Sequence, residues 1–203
     1  MSQTSGLGFK RTFGIGTIPV YQRDKAFLLA QGGFTLNKTG LVEGQVLLQA
    51  TPGVFNEADR TFTPLIVGRI YEAAANNATS YKIYKGSALK IGDNFSVNAG
   101  AAAYPITNIV KSDPNFDVVT VGTTLGEAVT VGEMAFASSA TGATASVLPA
   151  INGLLYDETL IVSGIVQAVS VVIRATVYAR RAPWSAELAA LPGLANIIYS
   201  QSF

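Results

Sequence analysis

Leu89-Lys-Ile-Gly-Asp93 runs directly into Asn94-Phe-Ser-Val97, and forty residues later Val129-Thr-Val-Gly-Glu133 runs into Met134-Ala-Phe-Ala137. Each phrase is an apolar–polar–apolar step, a glycine, an acid, and then a new strand pattern. Gly92 and Gly132 can take positive φ without a Cβ penalty, which is what reversing the chain requires. The acid that follows can accept nearby backbone N–H groups, so its expected role is structural. Two such phrases in one stretch predict a small barrel over about 80–140. Between them, Asp113-Pro-Asn-Phe-Asp117 reads as a turn, with Pro114 following an Asp that can close it.

Working outward, strand-like runs recur with turn signals between them. They are Ala26–Ala30, Gln45–Ala50, Leu65–Tyr71, Tyr81–Tyr84, Tyr104–Val110, Asp117–Val121, Glu133–Ala137, Thr159–Val166 and Ser170–Tyr178. They are built mostly of Val, Ile, Thr, Tyr and Phe, and no window before Trp184 sustains a helical period. The fold class expected is all-β, a small β-barrel or sandwich. Residues 1–25 read as an extended arm, because Gly14, Gly16 and Pro19 deny it a stable strand of its own. Residues 26–203 read as one β-rich domain: the barrel, a loop of small side chains at 138–146, and C-terminal strands and tail at 147–203. Within the last part, Ser185 to Leu191 should form a short helical piece, N-capped by Ser185, with Glu187 in the first turn and Pro192-Gly193 at the end. The apolar tail from Ile197 should dock rather than dangle.

Composition narrows the chemistry. Among 203 residues there are 14 Lys plus Arg, 13 Asp plus Glu, no His and no Cys. Disulfide scaffolds, Cys/His zinc sites, thiol nucleophiles and imidazole-based triads are therefore excluded. Charged residues make up 13% of the chain, against a usual share of roughly 25%. A compact monomer of this length exposes roughly 9,000 Å². A near-neutral surface so thinly charged tends to associate. The expectation is a chain whose surface is covered by copies of itself or by partners. A net charge of +1 argues against a nucleic-acid partner. The longest apolar stretch, Leu160 to Ile173, is interrupted by Ser163, Gly164, Gln167 and Ser170, and is short of the roughly 18 residues of a spanning helix. Met1–Gly14 lacks the apolar core of a signal peptide, so no membrane role is expected.

Three near-motifs fail on specific residues. Gly32 to Thr39 approaches a phosphate-binding loop, but Asn37 stands where glycine must let the amides curl round phosphate. Asp113, Asn115 and Asp117 match the first oxygen positions of a calcium loop, yet Val118 and Thr124 replace its glycine and its glutamate. The carboxylates are scattered on turns instead of paired as glycoside hydrolysis needs. No catalytic residue, metal or cofactor is expected. Two interaction segments stand out instead. The arm carries Phe9, Lys10, Arg11, Phe13, Ile15, Ile18 and Val20, suited to adding backbone hydrogen bonds to another chain's strand. Arg174, Tyr178, Arg180, Arg181, Pro183 and Trp184 combine the arginine and aromatic composition of interface anchors.

The order of several segments resembles the head-fibre or capsid decoration (auxiliary capsid) proteins of Bacteroidetes phages and prophages. The segments are Gly16-Thr-Ile-Pro-Val20, Lys82-Ile-Tyr-Lys-Gly86 leading into Leu89–Asp93, Ile106-Thr-Asn-Ile109, Asn115-Phe-Asp117, Leu125-Gly126, and Ala175-Thr-Val-Tyr-Ala-Arg-Arg-Ala-Pro183. Ala179 and Ala182 are smaller than that last phrase has in the family, and Gly40–Ala50 matches poorly. The resemblance implies a non-enzymatic structural virion protein, sitting as a trimer on the outer surface of a tailed-phage capsid. Its partners would be the major capsid protein, to a strand of which the arm would add backbone hydrogen bonds as a capsid-docking arm, its own copies and a further head-fibre or decoration protein. It would pass through the host cytoplasm during assembly, where a chain without cysteine loses nothing. The alternative is a glycan- or host-surface-binding fibre module.

Overall fold

The turn glycines behave as their phrases require. Gly92 sits at φ 93° and Gly132 at φ 90°. Asp93 Oδ2 accepts from Lys90 N at 3.0 Å, and Glu133 Oε2 accepts from Thr130 N at 2.7 Å. Both acids thus close their own turn by reaching three residues back. In each phrase the first apolar residue is buried and the second is not: Leu89 and Val129 are inside, whereas Ile91 and Val131 are 61% and 58% exposed.

The computed structural model describes residues 19–22 and 27–201. The first six strands are β1 (Tyr21–Gln22), β2 (Leu28–Leu29), β3 (Phe34–Leu36), β4 (Val46–Leu47), β5 (Pro52–Asn56) and β6 (Thr61–Pro64). Next come β7 (Val67–Arg69), β8 (Ser80–Tyr84), β9 (Asn94–Ser96), β10 (Tyr104–Val110), β11 (Phe116–Val121) and β12 (Met134–Ser138). The last five are β13 (Gly153–Leu155), β14 (Thr159–Leu160), β15 (Ala168–Val169), β16 (Val171–Tyr178) and β17 (Ile197–Ser200), with helix α1 (Ala186–Ala189) before β17. The fold is all-β with a short C-terminal helical piece.

Six strands form one sheet in the order β7-β12-β9-β10-β11-β8. It curls until its two edge strands meet: Ile70 bridges Ile83, and Tyr71 N donates to Lys82 O at 2.8 Å. The bend falls on β10, which pairs with β9 at its start and β11 at its end, with a register shift between Ile106 and Asn108. Alternate residues point inward, so Tyr81, Ile83, Phe95, Ile106, Val119 and Val121 fill the interior. This is the barrel of the turn phrases, but its first strand is β7 at Val67–Arg69, ahead of the expected start near 80. The reason is a non-local pairing, Arg69 with Met134 and Val67 with Phe136.

A nine-stranded sheet packs beside it, with β16 as its hub. Along one edge of β16 run β1 and then β2, pairing Tyr21 with Val177, Gln22 with Thr176, Leu28 with Arg174 and Leu29 with Val172. Its other edge is taken by β13 at Val171 and Val172 and by β17, parallel, at Ala175–Tyr178. The sheet continues through β5, β6 and β3 to β15. Gly53 and Gly153 face each other across β5 and β13. A Cβ on Gly153 would lie 2.4 Å from Val171 Cγ1, and one on Gly53 2.5 Å from Phe62 Cζ. Side chains packed over the sheet there occupy the space that any larger residue would need.

Strand β12 is the wall between the two units. Met134 and Phe136 belong to the core shared with β16, while Ala135 belongs to the barrel core. Large residues on one face and small ones on the other fit a roomy seam and a tight barrel. The helical piece follows its sequence signals: Ser185 Oγ accepts from Leu188 N at 3.0 Å and Leu188 is buried. The tail docks as β17. Less of the run Thr159–Val166 is strand than expected: Thr159–Leu160 pair with Leu47 and Val46 of β4, Ile161 exchanges backbone bonds with Gly44 and Gln45, and Val162 is already held in a turn by Lys38 and Gln167.

Candidate interaction surfaces

The segment singled out for arginine and aromatics serves first to tie this chain to itself. Arg181 Nη1 donates to Pro19 O at 2.9 Å, and its guanidinium lies 4.8 Å from the Tyr178 ring centroid. Arg180 O accepts from Arg69 Nη2 at 2.7 Å. Trp184 pairs its backbone with Glu133, and its carbonyl accepts from Met134 N at 2.9 Å, which joins the C-terminal corner to the barrel wall. Pro183 is buried and Trp184 half-buried, whereas Arg174 and Arg180 are exposed. Ala179 and Ala182 are buried, so the room for larger residues is missing here. Arg174 and Arg180 are the most exposed members of the set, with Tyr178, Arg181 and Trp184 half-buried.

Of the arm residues, Phe9, Lys10, Arg11, Phe13, Ile15 and Ile18 lie outside the described residues. Val20 lies inside them and is engaged by its own chain. Its carbonyl accepts from Tyr178 N at 2.9 Å and its side chain packs on the core beneath β16. The neighbouring Tyr21 is buried, with its hydroxyl donating to Leu155 O at 2.6 Å. Burial, with Tyr199 close by, raises the Tyr21 pKa well above the ordinary value of 10.0. Burial raises Tyr199 likewise. Within the stretch 1–25 read as the arm, Tyr21–Gln22 pair with β16 as β1, and residues 1–18 and 23–25 lie outside the described residues.

A groove of about 710 Å³ opens between the barrel and the strap leading into β4. Val42 and Val46 line one side, and Leu89, Ile91, Ile109 and Lys111 the other. The strap is anchored by Gln45 Nε2 donating to Ala88 O at 3.0 Å, and by Lys90 Nζ donating to Gly40 O. Val42 at 49% and Ile91 at 61% exposure stand on the rim, with Val110 next to Ile109 also exposed. An exposed apolar rim on a charge-poor surface is a feature of docking sites. The sequence signal for it was the second apolar residue of the turn phrase, Ile91, which has no core position to occupy.

The barrel's outer wall carries a second feature. Tyr71 and Tyr84 meet edge-on at 5.0 Å between centroids, and Tyr71 and Phe116 at 5.1 Å. The Arg69 guanidinium lies 5.0 Å from the Tyr84 centroid, and Lys82 Nζ 5.1 Å from that of Phe116. Lys82 also pairs with Glu72 at 2.7 Å. Burial lowers the Arg69 pKa from its ordinary value.

The remaining near-motifs resolve into structural contacts. Lys38 Nζ, at the end of the phosphate-loop look-alike, donates to Val162 O and Ile165 O at 2.5 Å each. Asp113 Oδ1 accepts from Asn115 N at 2.8 Å, the turn cap its sequence suggests. Asp117 is buried and paired with Lys85 Nζ at 2.5 Å. Among the described residues no group of three or more His, Cys, Asp or Glu could hold a metal ion. No helix among them is long and apolar enough to cross a membrane. No protein-family model, curated protein or solved structure matches the chain.

Proposed function

We propose that the chain is a structural virion protein that binds the outside of a tailed-phage capsid, as a trimer, and either braces the shell or anchors a head fibre. The observation that carries this reading is the apolar rim of the groove, Val42 and Ile91, exposed on a surface with few charges to keep it solitary. The order of family-like segments in the sequence supplies the capsid context. The arm, from Phe9 to Ile18, adds contacts to the shell, and several equivalent copies in one oligomer convert weak contacts into firm attachment. Arg174 and Arg180 lie at the contact between copies.

Cosedimentation tests this. The full chain is mixed with shells assembled from the major capsid protein of the same genome, and the decorated shells are imaged. Saturable binding with new density outside the shell is the expected result. Deleting residues 1–18 should leave a folded protein that no longer binds, because the described sheet begins after them. Shells that emerge bare with the full chain overturn the reading.

A glycan-binding fibre module is the second reading, favoured by the gathering of Tyr71, Tyr84 and Phe116 on one wall. A carbohydrate array distinguishes it. Selective binding lost in Tyr71→Ala supports the fibre module, and no binding removes it.

A further inference from the structure

Among the described residues the far edge of the nine-stranded sheet is open, and it lacks the usual protections. Strand β15 is the last in the order, with β3 on its inner side only. Leu36 N donates to Gln167 O at 2.8 Å, and Ala168 lies opposite Thr35. That alternation turns the N–H and C=O of Ala168 away from β3, toward the outside. From Thr159 to Ile173 there is no charged residue and no proline, the devices by which sheet edges normally discourage pairing. Val166 beside it is 80% exposed and Ile165 57%.

The edge is also held ready. Lys38 ties down the carbonyls of Val162 and Ile165. Gln167 closes the same turn from within, with Oε1 accepting from Val162 N at 3.0 Å and Nε2 donating to Leu160 O at 2.7 Å. A preformed edge loses little conformational freedom when a strand is added.

The candidate strand is in the sequence. Phe13-Gly-Ile-Gly-Thr-Ile18 carries no charge, sets Phe13 and Ile15 on one face, and has glycines that suit a strand formed only on docking. It ends at Pro19, beside β1, on the opposite edge of the same sheet from β15. Six strand steps of about 4.8 Å separate those edges, roughly 30 Å along the sheet. Six residues reach only about 20 Å from Pro19.

We infer that Phe13–Ile18 of one copy adds as a strand to β15 of a neighbouring copy, so that copies join head to tail. A donor on one edge and an acceptor on the other make a heterologous contact, which closes into a ring when the rotation allows, a trimer being one such ring. The inference does not rest on shell binding. It divides the arm, leaving Phe9, Lys10 and Arg11 for an outside partner.

Sedimentation of the full chain tests it. An oligomer is expected for the wild type and for a deletion of residues 1–12, and a monomer for a deletion of residues 1–18 and for Ala168→Lys. Because the chain has no cysteine, a second measurement is clean. Chains carrying Ile15→Cys are mixed with chains carrying Ala168→Cys and oxidised, and a disulfide between the two is expected. This readout decides the matter even if the lysine variant folds poorly. A monomeric wild type, an oligomer untouched by Ala168→Lys, or failure of the cysteine pair to cross-link overturns the inference. Loss of shell binding alone, with the oligomer intact, leaves it standing and counts against the capsid reading.

Discussion

In the barrel, β9, β10 and β11 follow one another in sequence and pair with one another, while β12 reaches back to β7 and β9 and β11 reaches back to β8. In the nine-stranded sheet, β16 takes its partners from residues 21–29, 154–155 and 197–200, drawn from both ends of the chain. One side of the first unit is built by returns between sequence neighbours, whereas the hub of the second is surrounded by segments from both ends of the chain. Damage should therefore spread differently in each. A turn defect in the barrel weakens one corner, whereas a packing defect near β16 loosens several segments at once.

The seam is the most sensitive test of that contrast. Phe136 is fully buried and reaches from the barrel wall into the core under β16. Phe136→Ala should cost about 3–5 kcal/mol, measured by denaturant unfolding. A loss below about 1 kcal/mol would mean that the two units do not depend on their shared wall.

The glycines give a matched pair with a smaller effect. Gly153→Ala puts a Cβ into Val171 and Phe55 and should cost about 1–3 kcal/mol through overpacking. Gly132→Ala has no such close contact but must hold φ 90°, and should cost about 1–2 kcal/mol through backbone strain alone. Hydrogen exchange separates the two. The first substitution should speed exchange across β5, β13 and β16, and the second only around the turn before β12.

The smallest effect at neutral pH, and the most selective, concerns the buried tyrosines. Tyr21→Phe removes one hydrogen bond, worth about 1 kcal/mol, while Leu155 O keeps Ala50 N as a donor. At high pH the sign changes. The unfolded chain ionises its tyrosines near 10.0, whereas Tyr21 stays protonated in the fold. The folded state then binds more protons, so stability falls as pH rises above that value. Alkaline unfolding monitored by tyrosine absorbance should begin at a higher pH in Tyr21→Phe than in the wild type. Identical alkaline midpoints would mean that Tyr21 is not what alkali attacks.

Legibility follows the same division. Lys90-Ile-Gly-Asp93 and Thr130-Val-Gly-Glu133 announced their turns because every bond that closes them is within a few residues. Ser185 announced α1 for the same reason. Strands β5 and β13 are not legible in the sequence, since Pro52-Gly53 and Gly153 have the composition of breakers and only the packing of Phe55, Phe62 and Val171 over them accounts for the glycines. Composition marks Arg181 and Trp184 as interface anchors, and only the fold shows that the Pro19 carbonyl and the β12 backbone lie against them. The groove is not legible in the sequence because its two walls, near Val42 and near Ile91, meet only in space.

What the amino-acid order determined unaided was the β class, the turn phrases, the capped helix and the sparse charge, each a property of neighbours along the chain or of composition. The tertiary structure alone decided where the barrel starts, which strands surround β16, and which apolar residues remain outside. Those outcomes depend on pairings between remote segments, and a side chain's burial is settled by what packs against it.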